Sequence, residues 1–203
     1  MPLAKNIYIH ADRLENLPAQ SRENYLYETD LLQKELPHDA NVLQVGSMDG
    51  MRIIRLLALR PDLKLTGLEL EDELVKVAKQ NATKANIHAK FITGDITVPP
   101  ELQQFDYVIC LNNTLGYISN QQKAIEEMKK LGKVVVISVY GEKFDDELAR
   151  EYFLALNLKI EDIKNNDFIM KDFTKVKRYT KEEVVSWDGK VRETPIGFYC
   201  VIC

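Results

Sequence analysis

The chain has 203 residues, 45% hydrophobic and 29% charged, enough for one globular domain whose core needs neither disulfides nor metals. A net charge of −4 works against a dedicated nucleic-acid binder, which needs a surplus of Lys and Arg on one face. Cys110, Cys200 and Cys203 fall in apolar, strand-like segments and suit reduced, buried thiols; Cys200 and Cys203 stand three apart on a strand and point to opposite faces, which argues against a metal or redox pair.

Met1 to His10 has neither a signal-peptide pattern nor a cleavage site, and no apolar run is long enough to span a bilayer, so a cytoplasmic protein without membrane contact is expected. Residues 1–17 carry little periodicity and receive no element. From Pro18 to Leu36, the residues Tyr25, Leu26, Leu31, Leu32 and Leu36 lie near helical spacing, with Ser21 and Asn24 as a partial start signal and Pro37 as the stop. Residues 1–37 thus read as a helical cap, from which Tyr25, Tyr27 and Glu28 are in a position to reach a ligand.

Strand and helix then alternate over 38–140. Strand 41–45 leads to a helix at 49–59, strand 63–69 to a helix at 72–83, and strand 87–93 to a Pro99-Pro100 loop and strand 105–111. Ser119 with Gln122 suggests a capping box for a helix through Lys130, and strand 133–139 is continuously apolar, as a strand covered on both faces should be. Such alternation predicts an open, mainly parallel sheet with helices on both faces and a site at the carboxyl ends of its strands. Over 141–203 the pattern predicts a helix from Asp145 to Leu156, a short hairpin over 158–173 turning at Asn165-Asn166, a brief helix opened by the Thr180–Glu183 capping box, and a closing antiparallel hairpin around Pro195-Ile196-Gly197. Lys171, Lys175, Lys177, Arg178 and Lys181 form the one candidate basic patch, and such a run reads first as a solvated face.

Chemistry concentrates after the first strand. In Gln44-Val45-Gly46-Ser47-Met48-Asp49-Gly50, two glycines allow a tight turn and a close approach of backbone to ligand at a helix start. Glu69, at the end of the next strand, lies at the spacing of about 20 residues from which a carboxylate reaches ribose hydroxyls. The turn lacks the middle and final glycines of a dinucleotide fingerprint and the Gly-Lys-Ser/Thr of a P-loop, so a cofactor without pyrophosphate fits better.

From about Tyr25 to Cys203 the chain resembles the class I S-adenosylmethionine-dependent methyltransferases. That resemblance implies a Rossmann-like, seven-stranded, mostly parallel sheet ending in an antiparallel hairpin, with S-adenosylmethionine held by Gln44, Gly46, Ser47, Met48, Gly50, Glu69, Leu70, Asp95, Ile96 and Asn112. Gln44 stands where the family has an acid for the methionine ammonium group, and Met48 where it has the middle glycine, putting a side chain where backbone usually approaches the ligand. By the same resemblance Glu69 accepts from both ribose hydroxyls, Asp95 from the adenine amino group, and the backbone N–H of Ile96 donates to the ring. Asn112 to Tyr117 is similar to the segment of members that act on small molecules, and the Asp/Asn-Pro-Pro-aromatic motif of amide and nucleobase methylation is missing.

The expected reaction is methyl transfer to a small-molecule amine or hydroxyl, the acceptor covered by the N-terminal helix and the segment after Tyr140, within residues 141–203, which comprise this substrate-shaping segment (roughly 141–181) and the closing strands. Tyr25, Asn113, Tyr117 and Tyr140 are the residues expected to face the acceptor. His10, His38 and His88 lie outside the strand-end motifs, so no histidine base is indicated, and in-line displacement from a sulfonium gains most from alignment. Methylation of a protein or RNA, and binding of the cofactor without turnover, are the alternatives.

Overall fold

The computed structural model describes residues 14–171 and 174–203, so the reading of Met1 to His10 lies outside the described residues. Helix α1 (Ala19–Glu35) precedes strand β1 (Asn41–Val45), helix α2 (Met51–Leu59), strand β2 (Lys64–Glu69), helix α3 (Asp72–Lys84) and strand β3 (Lys90–Thr93). Strand β4 (Phe105–Cys110), helix α4 (Gln121–Leu131) and strand β5 (Gly132–Tyr140) complete the parallel part. Helix α5 (Asp146–Ala155) then leads to strands β6 (Ile160–Lys164), β7 (Asp167–Met170) and β8 (Lys175–Lys177), helix α6 (Lys181–Val185), and strands β9 (Lys190–Glu193) and β10 (Gly197–Ile202).

The main sheet has seven strands in the order β3-β2-β1-β4-β5-β10-β9. Strands β1 to β5 pair in parallel, whereas β10 runs antiparallel to β5 and to β9. Val42 and Leu43, adjacent on β1, are both fully buried because each faces a different apolar layer. Val42 packs with Leu32, Ile53, Leu57 and Val75 under helices α1 to α3, and Leu43 with Val108, Ile125, Met128 and Val184 under α4 and α6. Parallel pairing brings the carboxyl ends of β1 to β5 to one edge, where a third cluster, Tyr140, Phe144, Tyr152, Phe153, Phe168 and Val176, joins α5 to the separate sheet β6-β7-β8.

Local differences from the sequence expectation have local causes. Helix α1 starts at Ala19 behind Pro18, and Ser21 and Asn24 are buried inside it, so they are not its cap. The cap of α4 is Asn120, which accepts from the Lys123 N–H, one residue past Ser119. Strand β3 begins only at Lys90, where pairing with β2 begins. Asn165 and Asn166 turn the β6–β7 hairpin with φ of 49° and 67°, and β8 adds an unforeseen third strand. Thr180 and Glu183 form the reciprocal capping box. Of the cysteines, Cys110 and Cys200 are buried, but Cys203 is exposed. Four of the five residues of the basic run are matched by acids: Lys175 pairs with Asp167, Lys177 with Glu183, Arg178 with Asp146 and Lys181 with Glu193. Among the described residues no helix is long and apolar enough to cross a membrane.

Candidate active site

The turn after β1 holds Gly46 and Gly50 in the left-handed region, at φ of 68° and 78°. A Cβ on Gly46 would overlap the Thr114 side chain, so this glycine answers both to its backbone angle and to a close approach. The Gly46 and Ser47 N–H groups donate to the Leu68 carbonyl, which seats the turn on β2. Met48 also adopts a left-handed φ, 49°, and its N–H donates to Glu69 Oε2 at 2.8 Å. The residue in the glycine position therefore keeps a glycine-like backbone, and its side chain packs toward the third apolar cluster. Met48 still borders the cavity, so a side chain stands at the position where the family has a glycine.

Glu69 is buried and held by three backbone donors: Met48 on Oε2, and Leu70 (2.9 Å) and Glu71 (3.3 Å) on Oε1. Burial raises its pKa above the ordinary glutamate range, and the three N–H bonds oppose that rise. Asp95 is exposed, and its Oδ1 accepts from both the Thr97 N–H (2.7 Å) and the Thr97 hydroxyl (2.8 Å), which directs the carboxylate. Asn112, at φ 50°, donates its N–H to the Ser138 hydroxyl and its Nδ2 to the Tyr152 hydroxyl at 3.3 Å.

A cavity of about 320 Å³ joins these groups. It runs from Glu69, Leu70, Asp95 and Ile96, past Gln44, Gly46 and Met48, to Arg52, Asn112, Tyr117, Tyr152, Leu156 and Leu158. Seven residues singled out from sequence do not line it. Ser47 is fully buried beneath the turn against Gly67, and Gly50 flanks the start of α2, enclosed by Phe91 and Ala78. Tyr25 lies under the Arg52 guanidinium, 3.9 Å from its ring centroid, and accepts from Arg55. Asn113 is a staple, donating from Nδ2 to the Lys177 carbonyl and accepting on Oδ1 from the Tyr140 N–H. Tyr140 stacks on Phe144 with centroids 4.0 Å apart, and burial pushes its pKa well up. Glu28 and Tyr27 are likewise absent from the lining; Glu28 is buried and accepts from Asn24, Ser138 and Arg52.

Sequence reasoning missed Arg52, Tyr152, Leu156 and Leu158. Arg52 carried a signal: it stands four residues before the buried Leu56 and so puts a charge on the inward face of α2. Tyr152 shares a face with Leu156, but no local pattern says that this face meets the strand ends. Among the described residues no histidine borders the cavity, and burial pushes the Cys110 thiol up to about 12, which leaves it without nucleophilic character.

Residues 37–181 match a family model described as a methyltransferase domain. The chain is 26% identical over 140 residues to a ribosomal protein L11 methyltransferase of Dictyoglomus thermophilum, covering 68% of this chain and 44% of that protein. It is also 26% identical over 171 residues to a carboxy-S-adenosyl-L-methionine synthase of Campylobacter jejuni subsp. doylei, covering 81% of this chain and 66% of that one. The chain thus spans less than two thirds of the length of both relatives. Among solved structures it is similar in fold to an S-adenosylmethionine-dependent methyltransferase from Clostridium acetobutylicum, with a TM-score of 0.65 at 11% identity over 95% of each chain.

Proposed function

The chain belongs to the class I S-adenosylmethionine-dependent methyltransferase family, and from that premise we propose that it transfers a methyl group to a small molecule bearing an amine or hydroxyl. The observation that carries this reading is the one cavity that links the strand-end carboxylates to an apolar and aromatic wall.

The residues present fit the cofactor. The turn presents the Gly46 backbone at the cavity wall, and Glu69 ends β2 as a buried carboxylate. As it stands, Glu69 has acceptor capacity left on Oε2 for one ribose hydroxyl; a second requires release of the longer Glu71 bond. Asp95 would accept from the adenine amino group, the Ile96 N–H would donate to the ring, and the exposed Leu70 side chain would cover an apolar face of the base. Gln44 would meet the methionine tail with an amide, a weaker partner for an ammonium group than the acid it replaces.

When bound, S-adenosylmethionine supplies an electrophilic methyl group on a sulfonium. Tyr117, Tyr152, Met48, Leu156 and Leu158 would exclude water from the acceptor end, and Asn112, fixed by Ser138 and Tyr152, would orient the acceptor. An amine that arrives neutral needs no strong base there. The likeness to a ribosomal protein methyltransferase favours transfer to a protein side chain as the second reading.

Calorimetry with S-adenosylmethionine and S-adenosylhomocysteine tests the cofactor assignment; no heat with either at millimolar ligand would overturn it. Methyl transfer to a panel of amines and phenols, set against intact ribosomal proteins, then separates the two acceptor classes.

A further inference from the structure

We propose that Arg52 is the carboxylate-binding residue of the cavity, with its guanidinium set by Glu28 at one edge and by Tyr25 on one face. The inference rests on the cofactor reading above and adds an anion site to it.

Arg52 is the second residue of α2 and is only 4% exposed, yet it borders the cavity beside the Gly46–Met48 turn. Its Nη1 donates to Glu28 Oε2 at 2.9 Å, and its guanidinium carbon lies 3.9 Å from the Tyr25 ring centroid. Glu28 is held in turn, its Oε1 accepting from the Ser138 hydroxyl (2.6 Å) and from Asn24 Nδ2 (3.0 Å). The Glu28 charge is therefore shared among three donors and does not belong to Arg52 alone.

Burying such a pair costs both ions their hydration, and apolar residues of similar volume usually hold a fold together at least as well. A rigid, oriented cation on a cavity wall is instead what recognition of a planar anion requires. Guanidinium offers five N–H donors in a fixed fork that matches a carboxylate bidentately. Stacking on Tyr25 fixes the plane of that fork, and Glu28 fixes its rotation.

Gln44 gives this placement a further meaning. With a neutral amide where the family carries an acid, the cavity's tail end has lost its negative handle and keeps a positive one at Arg52. A carboxylate is the complementary group. It comes either from the methionine tail of the cofactor or from the acceptor.

Titration calorimetry separates these sources. The ligands are S-adenosylhomocysteine, 5′-methylthioadenosine, which lacks the amino-acid tail, and benzoate added to the S-adenosylhomocysteine complex. The proteins are the wild type, the double variant Glu28→Gln/Arg52→Gln, which leaves no buried carboxylate unpaired, and Arg52→Lys, which keeps the charge but loses the fork. Should the double variant not fold by circular dichroism, Arg52→Lys carries the same comparison.

A loss of tenfold or more for S-adenosylhomocysteine, with methylthioadenosine unchanged within twofold, assigns the methionine carboxylate. Unchanged binding of both nucleosides, with benzoate binding present in the wild type and lost in the variants, assigns an acceptor carboxylate. Equal losses for both nucleosides in a folded variant, or no change with any ligand, would overturn the proposal. A wild type that binds neither nucleoside would overturn the cofactor reading and this inference with it.

Discussion

At the Glu69 end of the cavity the polar work is done by backbone and carboxylates. The Met48, Leu70 and Glu71 N–H groups hold Glu69, and the Thr97 N–H and hydroxyl hold Asp95. At the Tyr152 end the wall is built by largely apolar and aromatic side chains from distant parts of the chain: Met48 from the turn, Tyr117 after β4, and Tyr152, Leu156 and Leu158 from α5 and the residues beyond it. One end needs particular residues at particular strand ends, since only they present donors and acceptors in a fixed array. The other needs apolar volume, which many residue types supply, so it can vary while the proposed nucleoside end stays the same.

That contrast predicts unequal costs for substitutions. The largest effect is expected from Gly46→Val, which forces a β-branched residue to φ 68° and into the Thr114 side chain. A loss of about 2–4 kcal/mol in urea unfolding is expected, and a loss below 1 kcal/mol would show that the turn yields more easily than its geometry implies.

Glu69→Ala comes next, with S-adenosylhomocysteine binding weakened by more than about tenfold in calorimetry, or about 1.4 kcal/mol. The charged carboxylate is the form that accepts from hydroxyl donors, and burial sets its pKa above the ordinary glutamate range. Affinity should therefore fall as pH drops through that raised value, at less acidic pH than an exposed glutamate would cause. Glu69→Gln should flatten this acid limb, and an unchanged limb would assign it to another group.

Tyr152→Phe removes the acceptor of the Asn112 Nδ2 bond, so thermal unfolding should report a loss of about 0.5–1.5 kcal/mol. Binding of S-adenosylhomocysteine should stay within about threefold of wild type, because the proposal puts Tyr152 at the acceptor end.

Met48→Gly is expected to have the smallest effect on stability. Relief of the left-handed strain and loss of thioether packing oppose each other, each about 1 kcal/mol. Cofactor affinity should hold while acceptor KM changes. A tenfold loss of cofactor affinity would move Met48 to the nucleoside end and erase the division drawn between the two.

Legibility in the sequence follows the same division. Gly46, Glu69, Asp95 and Asn112 were readable because each sits at a strand end, where apolar runs stop and turn residues begin, and all line one cavity. Asn113 and Tyr140 share that local setting but are used up in tying β8 and α5 to the sheet. Their neighbours in sequence do not distinguish these fates. In sequence Tyr25 stands out as an aromatic residue of the cap, whereas it is Arg52, beneath which it lies, that meets the cavity.

The alternation of apolar strands and amphipathic helices by itself determined the parallel sheet, because covering a sheet on both faces imposes that period on the chain. It also determined where the tight turn after β1 lies, since a left-handed angle combined with a close approach, as at Gly46, leaves glycine almost no substitute. Only the tertiary structure decided that Met48 keeps the glycine-like turn, that Glu28 and Tyr25 contact Arg52, and that α5 lines one end of the cavity. These are contacts between segments far apart in sequence, and no local period of the chain encodes them.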